Sequence, residues 1–425
     1  MRRLESPQLM ALADTLLVFR SRKIFLLLLL GFSSGLPLAL TAGTLQAWLT
    51  VEGVDLKTIG WFALVGQPYT YKFLWAPLMD RYAIPFLGRR RGWLIVTQVA
   101  LAGAIAFMGT LSPKDSPWLL AGLALLVAFL SSSQDIVFDA FRTDSLGAEE
   151  RGAGAAVSVF GYRIAMLVSG GLALVLADSV LGWQNTYLLM AALMVIGVIA
   201  TWNAPEPKSA GVPPRSLVAA FKEPLAEYFS RNAAWILLAL VVLYKLGDAF
   251  AGSLTTAFLI RGVGFTATDV GAINKTLGLI ATIIGALAGG ALMAHWRLYK
   301  SLMIFGVLQA VTNLGFMAIA IVGKSYPLLI AAVAAENLCG GMGTAAFVAL
   351  LMAMCDRRFS ATQYALLSAL SAVGRVYVGP VAGYMVTDLG WTTFFFLTFL
   401  IALPGLAMLR WQKARIEALD KAPDT

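Results

Sequence analysis

Twelve apolar segments, each about long enough to cross a bilayer, recur along this chain of 425 residues. A transmembrane α-helix needs about 20 predominantly apolar residues. The segments lie near residues 24–49, 57–79, 93–111, 118–141, 153–177, 183–203, 233–260, 269–293, 301–322, 327–354, 362–387 and 391–411. Only 13% of the residues are charged, against about 25% in a soluble domain. The sequence therefore predicts an all-α polytopic membrane protein with about 12 transmembrane helices.

A Pro-rich, charged stretch separates the first six segments from the last six, which indicates two bundles joined by a linker. A leader with apolar residues at helical spacing precedes the first segment, and we expect it to lie along the inner membrane surface. The five predicted parts are the leader, the N-terminal six-helix bundle, the linker, the C-terminal six-helix bundle and the tail, at residues 1–23, 24–203, 204–232, 233–411 and 412–425.

The distribution of Lys and Arg predicts the orientation in the membrane. Alternate loops, counted together with both termini and the linker, hold 23 of these residues, whereas the opposite loops hold 4. Cytoplasmic loops carry the excess of positive charge. Both termini and the linker are therefore expected in the cytoplasm, and the net charge of +9 reflects topology rather than a nucleic-acid partner.

Several function classes are disfavoured by composition. The single histidine, His295, and two cysteines, Cys339 and Cys355, provide neither a metal site nor a disulfide framework. An integral-membrane enzyme needs an acid/base or His cluster at one face, which is missing here, and a sensor has no need of several charges at mid-membrane. We expect no cofactor, and no obligate protein partner is evident.

The two halves show a weak internal repeat. Residues 45–60 match residues 256–271 at an offset of 211, and at an offset of 212 Arg163 matches Arg375 and Gly171 matches Gly383. Pseudo-symmetric six-helix repeats that rock about a site at mid-membrane are typical of transporters.

Specific motifs resemble known transporters. The loop "DRYAIPFLGRRRG" is similar to the helix 2–3 loop of the major facilitator superfamily, although Ala76 replaces its first Gly and five extra residues precede Gly88. Nearly the whole chain resembles the AmpG permeases of Gram-negative bacteria, including "SSQDIVFDAFRTD", "VLYKLGDAF", "ENLCGGMGTAAFVALLM" and "LLSALSAVGRVYVGPVAGY".

This resemblance implies the major facilitator fold and a multi-pass location in the bacterial inner membrane. It also implies proton-driven import of GlcNAc–anhydroMurNAc and its peptides from periplasm to cytoplasm, for peptidoglycan recycling, in a family linked to beta-lactamase induction. The partners would be the anhydromuropeptide, protons and the lipid bilayer, with the proton gradient as energy source. Export of drugs or metabolites is the alternative.

Charged residues within the spans are candidate site residues, because such residues normally pair or face a cavity. The five cations are Lys72, Arg163, Lys245, Lys275 and Arg375, and the four acids are Asp135, Asp139, Asp248 and Glu336. Without a negative excess, this balance suits an anionic ligand. Two alternatives stay open for the arginines: a substrate carboxylate, or fixed pairs of Arg163 with Asp135 and of Arg375 with Glu336. Lys72 and Lys275 lie near helix ends and are expected either to snorkel or to join the site.

Substrate recognition is assigned to cations, aromatic rings for sugar faces, and amides for hydroxyl groups. The candidates are Arg163, Arg375, Lys245, Tyr162, Tyr244, Tyr377, Gln134, Gln46 and Asn274. The candidates for the coupled proton are Asp248, Glu336 and Asp135. Lys245 and Asp248, three residues apart, form either a neutral pair or a proton switch.

The superfamily resemblance further implies a cytoplasmic gate. Asp80, Arg81, Arg89 and Arg90 match its helix 2–3 loop, and Asp139 near the end of helix 4 is expected to pair with Arg81 or Arg90. Asp135, one turn deeper, is then a site residue rather than a gate residue.

Overall fold

The computed structural model describes residues 21–146, 151–207, 226–231, 233–293, 295–354 and 360–419. Their regular structure is helical, apart from one bridge between Ile84 and Gly88. The helices of the first half are α1 (Arg22–Val51), α2 (56–81), α3 (Arg90–Gly109), α4 (Pro117–Ser145), α5 (151–179) and α6 (Gly182–Asn203). The second half holds α7 (Ala234–Gly262), α8 (Ala267–Met293), α9 (Leu298–Val322), α10 (Tyr326–Ala353), α11 (360–389), α12 (391–411) and α13 (Lys413–Leu419).

Ten uninterrupted helical runs in the described residues are long and apolar enough to span a membrane. One of them contains both α11 and α12, which bend at Gly390, where φ is 78°. The predicted second span, α2, is broken by 3-10 turns at Phe62–Gly66 and Lys72–Leu74, and Pro68 between them lacks a backbone donor. The predicted all-α polytopic fold is thus confirmed, with α2 irregular rather than continuous.

Other predictions on domain organisation stay predictions. The leader lies largely outside the described residues, as does most of the linker at 204–232, whereas the tail is described as far as Leu419. Their cytoplasmic location therefore continues to rest on the Lys and Arg count.

Glycines bring helices into close contact within each half. In the first half, Gly31 of α1 meets the backbone of Ser158, and Gly161 of α5 meets the backbone of Leu28. In the second half, Gly285 of α8 meets the backbone of Leu338 in α10. Small residues allow such approaches in membrane bundles, where packing replaces the hydrophobic effect as the driving force.

Two further glycine crossings join the halves. A β-carbon on Gly60 of α2 would lie 2.5 Å from the carbonyl oxygen of Gly379 in α11 and 3.3 Å from the Cα of Gly383. At the other crossing, a β-carbon on Gly271 of α8 would lie 2.7 Å from the carbonyl oxygen of Gly171 in α5. The repeat matches Gly60 to Gly271 and Gly171 to Gly383, so these two crossings are related by the pseudo-symmetry of the halves.

Both helices of the second crossing, α5 and α8, depart from α-helical geometry. π-helical turns occur at Leu167–Leu172 in α5 and at Val270–Leu277 in α8, and they contain Gly171 and Gly271. π-turns inside α-helices are frequent at functional sites. A break also interrupts α1 at Ala42, whose φ and ψ are −123° and −106°.

Side-chain hydrogen bonds tie the halves together in the described residues. The pairs are Gln46 with Ser253, Thr50 with Arg261, Asp178 with Thr268, and Tyr71 with Tyr377. The Thr50 and Asp178 pairs lie at the end of the bundle where α1 and α5 finish, beyond the two glycine crossings. We call this the sealed end, and it is opposite to the arginine-rich loops.

Candidate functional site

A cavity of about 560 Å³ lies between the two halves, bordered by the glycine crossing of α2 and α11. Six helices contribute to its wall, three from each half. The first half supplies Thr41, Gln46, Phe62, Tyr69, Thr70 and Tyr162, and the second supplies Ser253, Thr256, Lys275 and Arg375. Its size falls within the range of pockets that hold small ligands, roughly 300–1,000 Å³.

The charged residues that line the cavity are positive and lie on one wall. Lys275 and Arg375, both from the second half, are the charged residues of the lining, and none of the lining residues in the described part is acidic. The first half faces them with hydroxyl, amide and aromatic groups. The cavity is therefore suited to a ligand that carries negative charge at one end.

Lys275 reaches the cavity from the π-helical turn of α8. Its Nζ atom donates to the Thr256 hydroxyl at 3.0 Å. A β-carbon on Gly43 would lie 2.8 Å from Nζ, so the missing side chain beside the break in α1 makes room for the ammonium. Lys275 thus faces the site instead of snorkelling to the interface.

The two arginines that the repeat matches do not form the fixed pairs considered above. Within the described residues, neither Arg163 nor Arg375 has a carboxylate within 4 Å. Arg163 contacts the Met166 sulfur at 3.8 Å, and Arg375 interacts electrostatically with Tyr162. Arg375 lines the cavity, whereas Arg163 is not among its lining residues. A guanidinium without a carboxylate inside a bundle is costly, which favours a ligand anion at Arg375.

The acids of the second half are grouped near the cavity but not in its wall. Lys245 and Asp248 form an ion pair at 3.3 Å. Glu336 accepts a hydrogen bond from the amide of Asn337 at 2.7 Å and interacts electrostatically with Asp248, Lys245 and Lys275. The neighbouring cations of Glu336 are therefore lysines and not Arg375.

Asp135 of α4 faces α1. The hydroxyl of Ser34 donates to its carboxylate, and the adjacent Gln134, which is fully buried, donates from Nε2 to the Ser33 hydroxyl at 3.2 Å. Asp135 interacts electrostatically with Lys72, not with Arg163. Gln134 thus contacts helix α1 rather than the cavity.

The remaining predicted contact residues have different positions. Tyr162 and Gln46 line the cavity, and Asn274 precedes Lys275 in the π-helical turn. Tyr244 is buried in the second half, where its hydroxyl donates to the Leu302 carbonyl at 2.8 Å.

Tyr377 lies on the exposed side of the α2–α11 contact. Its hydroxyl is 3.0 Å from that of Tyr71, and both rings are more than a third exposed. The structure therefore places Tyr244 and Tyr377 away from the lining, whereas Tyr69 belongs to it.

The predicted gate residues lie together at the end opposite the sealed end. The Nε atom of Arg90 pairs with Asp144 at 2.9 Å, whereas Asp139 pairs with Arg142 of its own helix at 3.0 Å. Helix α4 thus supplies Arg90 with a different acid from the one expected. The side chains of Asp80 and Arg81 lie outside the described residues.

Sequence reasoning missed Glu206, which follows α6. Its carboxylate accepts hydrogen bonds from the backbone N–H groups of Arg89, Arg90 and Arg91 at 2.9, 2.8 and 3.0 Å. These are the free donors at the start of α3, where a negative charge is favourable. Gly88, at a φ of 88°, leaves space for this carboxylate. The sequence shows only an acid within "NAPEPK" and not its role, because the residues that Glu206 binds are more than 100 positions away in the chain.

Comparison with known families accounts for this architecture. The family model described as Major Facilitator Superfamily matches residues 27–322. The chain belongs to the major facilitator superfamily. Within this superfamily, it is 62% identical over 392 residues to the anhydromuropeptide permease of Escherichia coli (strain K12), covering 92% of this chain and 80% of that protein. It is 35% identical to the putative transporter AmpG 4 of Rickettsia conorii, covering 94% and 98%.

Solved structures of the superfamily share the fold. A bacterial homologue of the human lysosomal transporter Spinster superposes with a TM-score of 0.70 at 15% identity, covering 97% of this chain and 99% of that one. A D-xylose–proton symporter gives 0.67 at 12% identity, covering 91% and 96%. At these identities, the likeness supports the fold alone. Membership of the superfamily identifies a transporter rather than an enzyme.

Proposed function

We propose that this multi-pass inner membrane protein imports anhydromuropeptides, that is GlcNAc–anhydroMurNAc and its peptides. The observation that carries the proposal is the cavity whose charged lining residues, Lys275 and Arg375, are both cations. The stem peptide of the ligand ends in carboxylates, which a guanidinium binds with two parallel hydrogen bonds. The high identity to an anhydromuropeptide permease supports the same ligand.

The neutral wall suits the sugar part of the ligand. Sugar rings have apolar faces that stack on aromatic side chains, and Tyr69 and Tyr162 provide such faces in the cavity. Gln46 uses its amide N–H to hold the Ser253 carbonyl at 2.7 Å, which leaves its carbonyl oxygen for a hydroxyl group. In this arrangement, the sugars lie against the first half and the carboxylates lie against the second.

Alternating access follows from the contacts between the halves. With the arginine-rich loops in the cytoplasm, as their charge predicts, the sealed end is the periplasmic one. Opening toward the periplasm then requires separation of the Gly60–Gly379 and Gly171–Gly271 contacts and of the hydrogen bonds beyond them. These bonds are few, and each joins one charged side chain to a neutral group, Arg261 to the Thr50 carbonyl and Asp178 to Thr268, so the opening breaks charge-assisted hydrogen bonds rather than ion pairs.

We propose a proton gradient as the driving force, with Asp248, Glu336 and Asp135 as the candidate carriers. Asp248 holds Lys245 in an ion pair, and its protonation would release that lysine toward the ligand. The alternative, export of drugs, is disfavoured for lipophilic cations because they would meet two positive charges in the cavity.

Uptake into proteoliposomes tests this function. Labelled GlcNAc–anhydroMurNAc, with and without its peptide, is added outside vesicles whose interior is alkaline. We expect accumulation that a proton ionophore abolishes, with competition by unlabelled ligand and none by a lipophilic cation. Absence of accumulation for both ligands, together with uptake or extrusion of the lipophilic cation, contradicts the proposal.

A further inference from the structure

A second pocket, of about 350 Å³, lies at the sealed end and is formed by the first half alone. The end of α1, the loop from α3 to α4 and the start of α6 line it, and we call it the outer pocket. Trp48 of α1 lines the outer pocket, whereas Gln46 lines the cavity between the halves. Residues two apart on an α-helix are rotated by about 200°, so α1 separates the outer pocket from that cavity.

An aromatic ring in a fixed position lines the outer pocket. The ring of Trp183 stacks on that of Trp48, with centroids 6.0 Å apart and an angle of 9° between the planes. Trp48 is only 2% exposed, and its ring contacts that of Tyr187 at 5.0 Å between centroids. The half-buried Trp183 is therefore held by two buried rings. A flat apolar face of a ligand can stack on such a ring with little loss of side-chain entropy.

Planar polar groups line the pocket beside this ring. The carboxylate of Glu52 provides acceptors for hydrogen bonds. The amide of Asn185 donates to the Leu181 carbonyl at 3.0 Å, which leaves the amide oxygen for another donor. Gln184 is exposed, and its amide makes no hydrogen bond within the part of the chain that the structure describes. The outer pocket thus offers both donors and acceptors next to an aromatic face.

The charge of the outer pocket favours an uncharged ligand. Glu52 is the charged residue of its described lining, so an anion would meet a carboxylate there. Lys114 lies outside the lining, with its Nζ atom 3.9 Å from Glu52, and disfavours a cation. Both side chains are partly exposed, so this ion pair is weak and the carboxylate can accept other hydrogen bonds. A neutral ring with an apolar face and several hydroxyl groups fits these conditions.

We propose that the outer pocket binds a neutral sugar ring, separately from the cavity between the halves. Trp183 stacks on the apolar face of the sugar, and Glu52 and Gln184 bind its polar groups. Because the lining comes from the first half alone, the pocket stays whole when the halves separate. The inference rests on the proposed function, which brings amino sugars to the sealed, periplasmic end. A ligand can then be held at the surface while the cavity is closed to that side.

Binding to the closed protein tests the outer pocket. Asp178→Cys and Thr268→Cys are cross-linked in right-side-out membrane vesicles, so that ligand added outside cannot reach the cavity. We expect labelled GlcNAc–anhydroMurNAc to bind saturably, with competition by an unlabelled GlcNAc disaccharide and none by the free stem peptide. Vesicles without the protein give the background. Binding no greater than this background, or competition by the peptide alone, overturns the proposal.

Two tryptophans at the sealed end provide matched variants. Trp183→Ala removes the stacking ring, whereas Trp118→Ala removes a ring that is 66% exposed and lies outside the lining. In the cross-linked protein, we expect the Kd to rise about five- to tenfold for Trp183→Ala and less than about twofold for Trp118→Ala. Equal changes in the two variants overturn the proposal.

A second pair of variants avoids any loss of packing at Trp183. Glu52→Gln keeps the shape of the side chain and removes its charge, and Asp115→Asn makes the same change on an exposed residue of the α3–α4 loop outside the lining. We expect the Kd to rise about fivefold for Glu52→Gln and to stay within about twofold for Asp115→Asn. Equal Kd values for these two variants contradict a role of the carboxylate and overturn the site.

Substrate counterflow by the wild-type protein, measured without cross-linking, tests the transport function separately. Its absence refutes the proposed function. Its presence, together with no saturable binding to the cross-linked protein, refutes the outer pocket alone.

Discussion

The carbonyl oxygen of Gly379 stands 2.5 Å from the point where a β-carbon on Gly60 would be placed. No side chain fits at this contact between α2 and α11, so the two halves close only with glycine there. We predict that Gly60→Ala shifts the protein away from the sealed state by about 1–3 kcal/mol, the usual cost of overpacking. Cross-linking of paired cysteines at positions 178 and 268 measures the shift as lost yield.

Gly103 in α3 is the control for this prediction, because a β-carbon there meets no atom within 4 Å. Gly103→Ala should leave the cross-linking yield unchanged. Equal yields for the two variants would show that the crossing does not control closure.

Arg375 should govern affinity for the anionic part of the ligand. Arg375→Gln keeps hydrogen-bonding capacity but removes the charge, and we expect the KM for the peptide-bearing substrate to rise about 10- to 100-fold. Arg375→Lys should recover part of the loss, because an ammonium keeps the charge without the two-pronged geometry. Lys114→Gln is the control, since Lys114 is exposed on a loop. An unchanged KM in Arg375→Gln would place the carboxylates elsewhere.

Glu206 should stabilise the start of α3. Glu206→Gln retains an acceptor but loses the negative charge that faces three backbone N–H groups. We expect a loss of about 1–2 kcal/mol, seen as a lower melting temperature in detergent. Glu417→Gln serves as control, because the ion pair that Glu417 forms in the described part of the chain is a long one, with Lys413 at 3.9 Å. A drop of equal size in both variants would argue against the capping role.

Asp55, at the start of α2, should make the stability of the protein depend on pH. Slight burial opposes the shift, but hydrogen bonds from Thr58 and Lys57 hold the pKa of Asp55 below its usual value. Because the folded pKa is depressed, the stabilisation is present above the unfolded pKa of about 3.9 and is lost as pH falls through the folded pKa. Asp55→Ala should therefore lower the melting temperature at pH 7 and converge on the wild type below about pH 4. A difference that persists unchanged into acid would contradict this origin.

Much of the fold could be predicted because it depends on local pattern. Apolar length defines the spans, and the spacing of Lys245 and Asp248 on one helix face predicts their ion pair, which forms at 3.3 Å. The repeat also matched the glycines that meet between the halves, although weak sequence similarity gave no sign that they touch.

The site was harder to predict because it depends on helix rotation. Each residue advances an α-helix by about 100°, so a single π-helical turn changes which side chains face the cavity. Lys275 faces the site from such a turn, whereas Tyr244, on a regular stretch of α7, faces the core. The capping role of Glu206 was not predicted, because the backbone N–H groups that it binds are distant in sequence.

The π-helical turn of α8 has a consequence for how the halves are related. The repeat offset is 211 where residues 45–60 match 256–271, but 212 where Arg163 matches Arg375. A π-turn closes with one more residue than an α-turn. Helix α8 holds such an extra residue at Val270–Leu277 without a break in the helix, which changes the direction in which the side chains of this segment point. The second half thereby presents Lys275 to the cavity at a level where the first half, at the offset of 211, has the apolar Leu64.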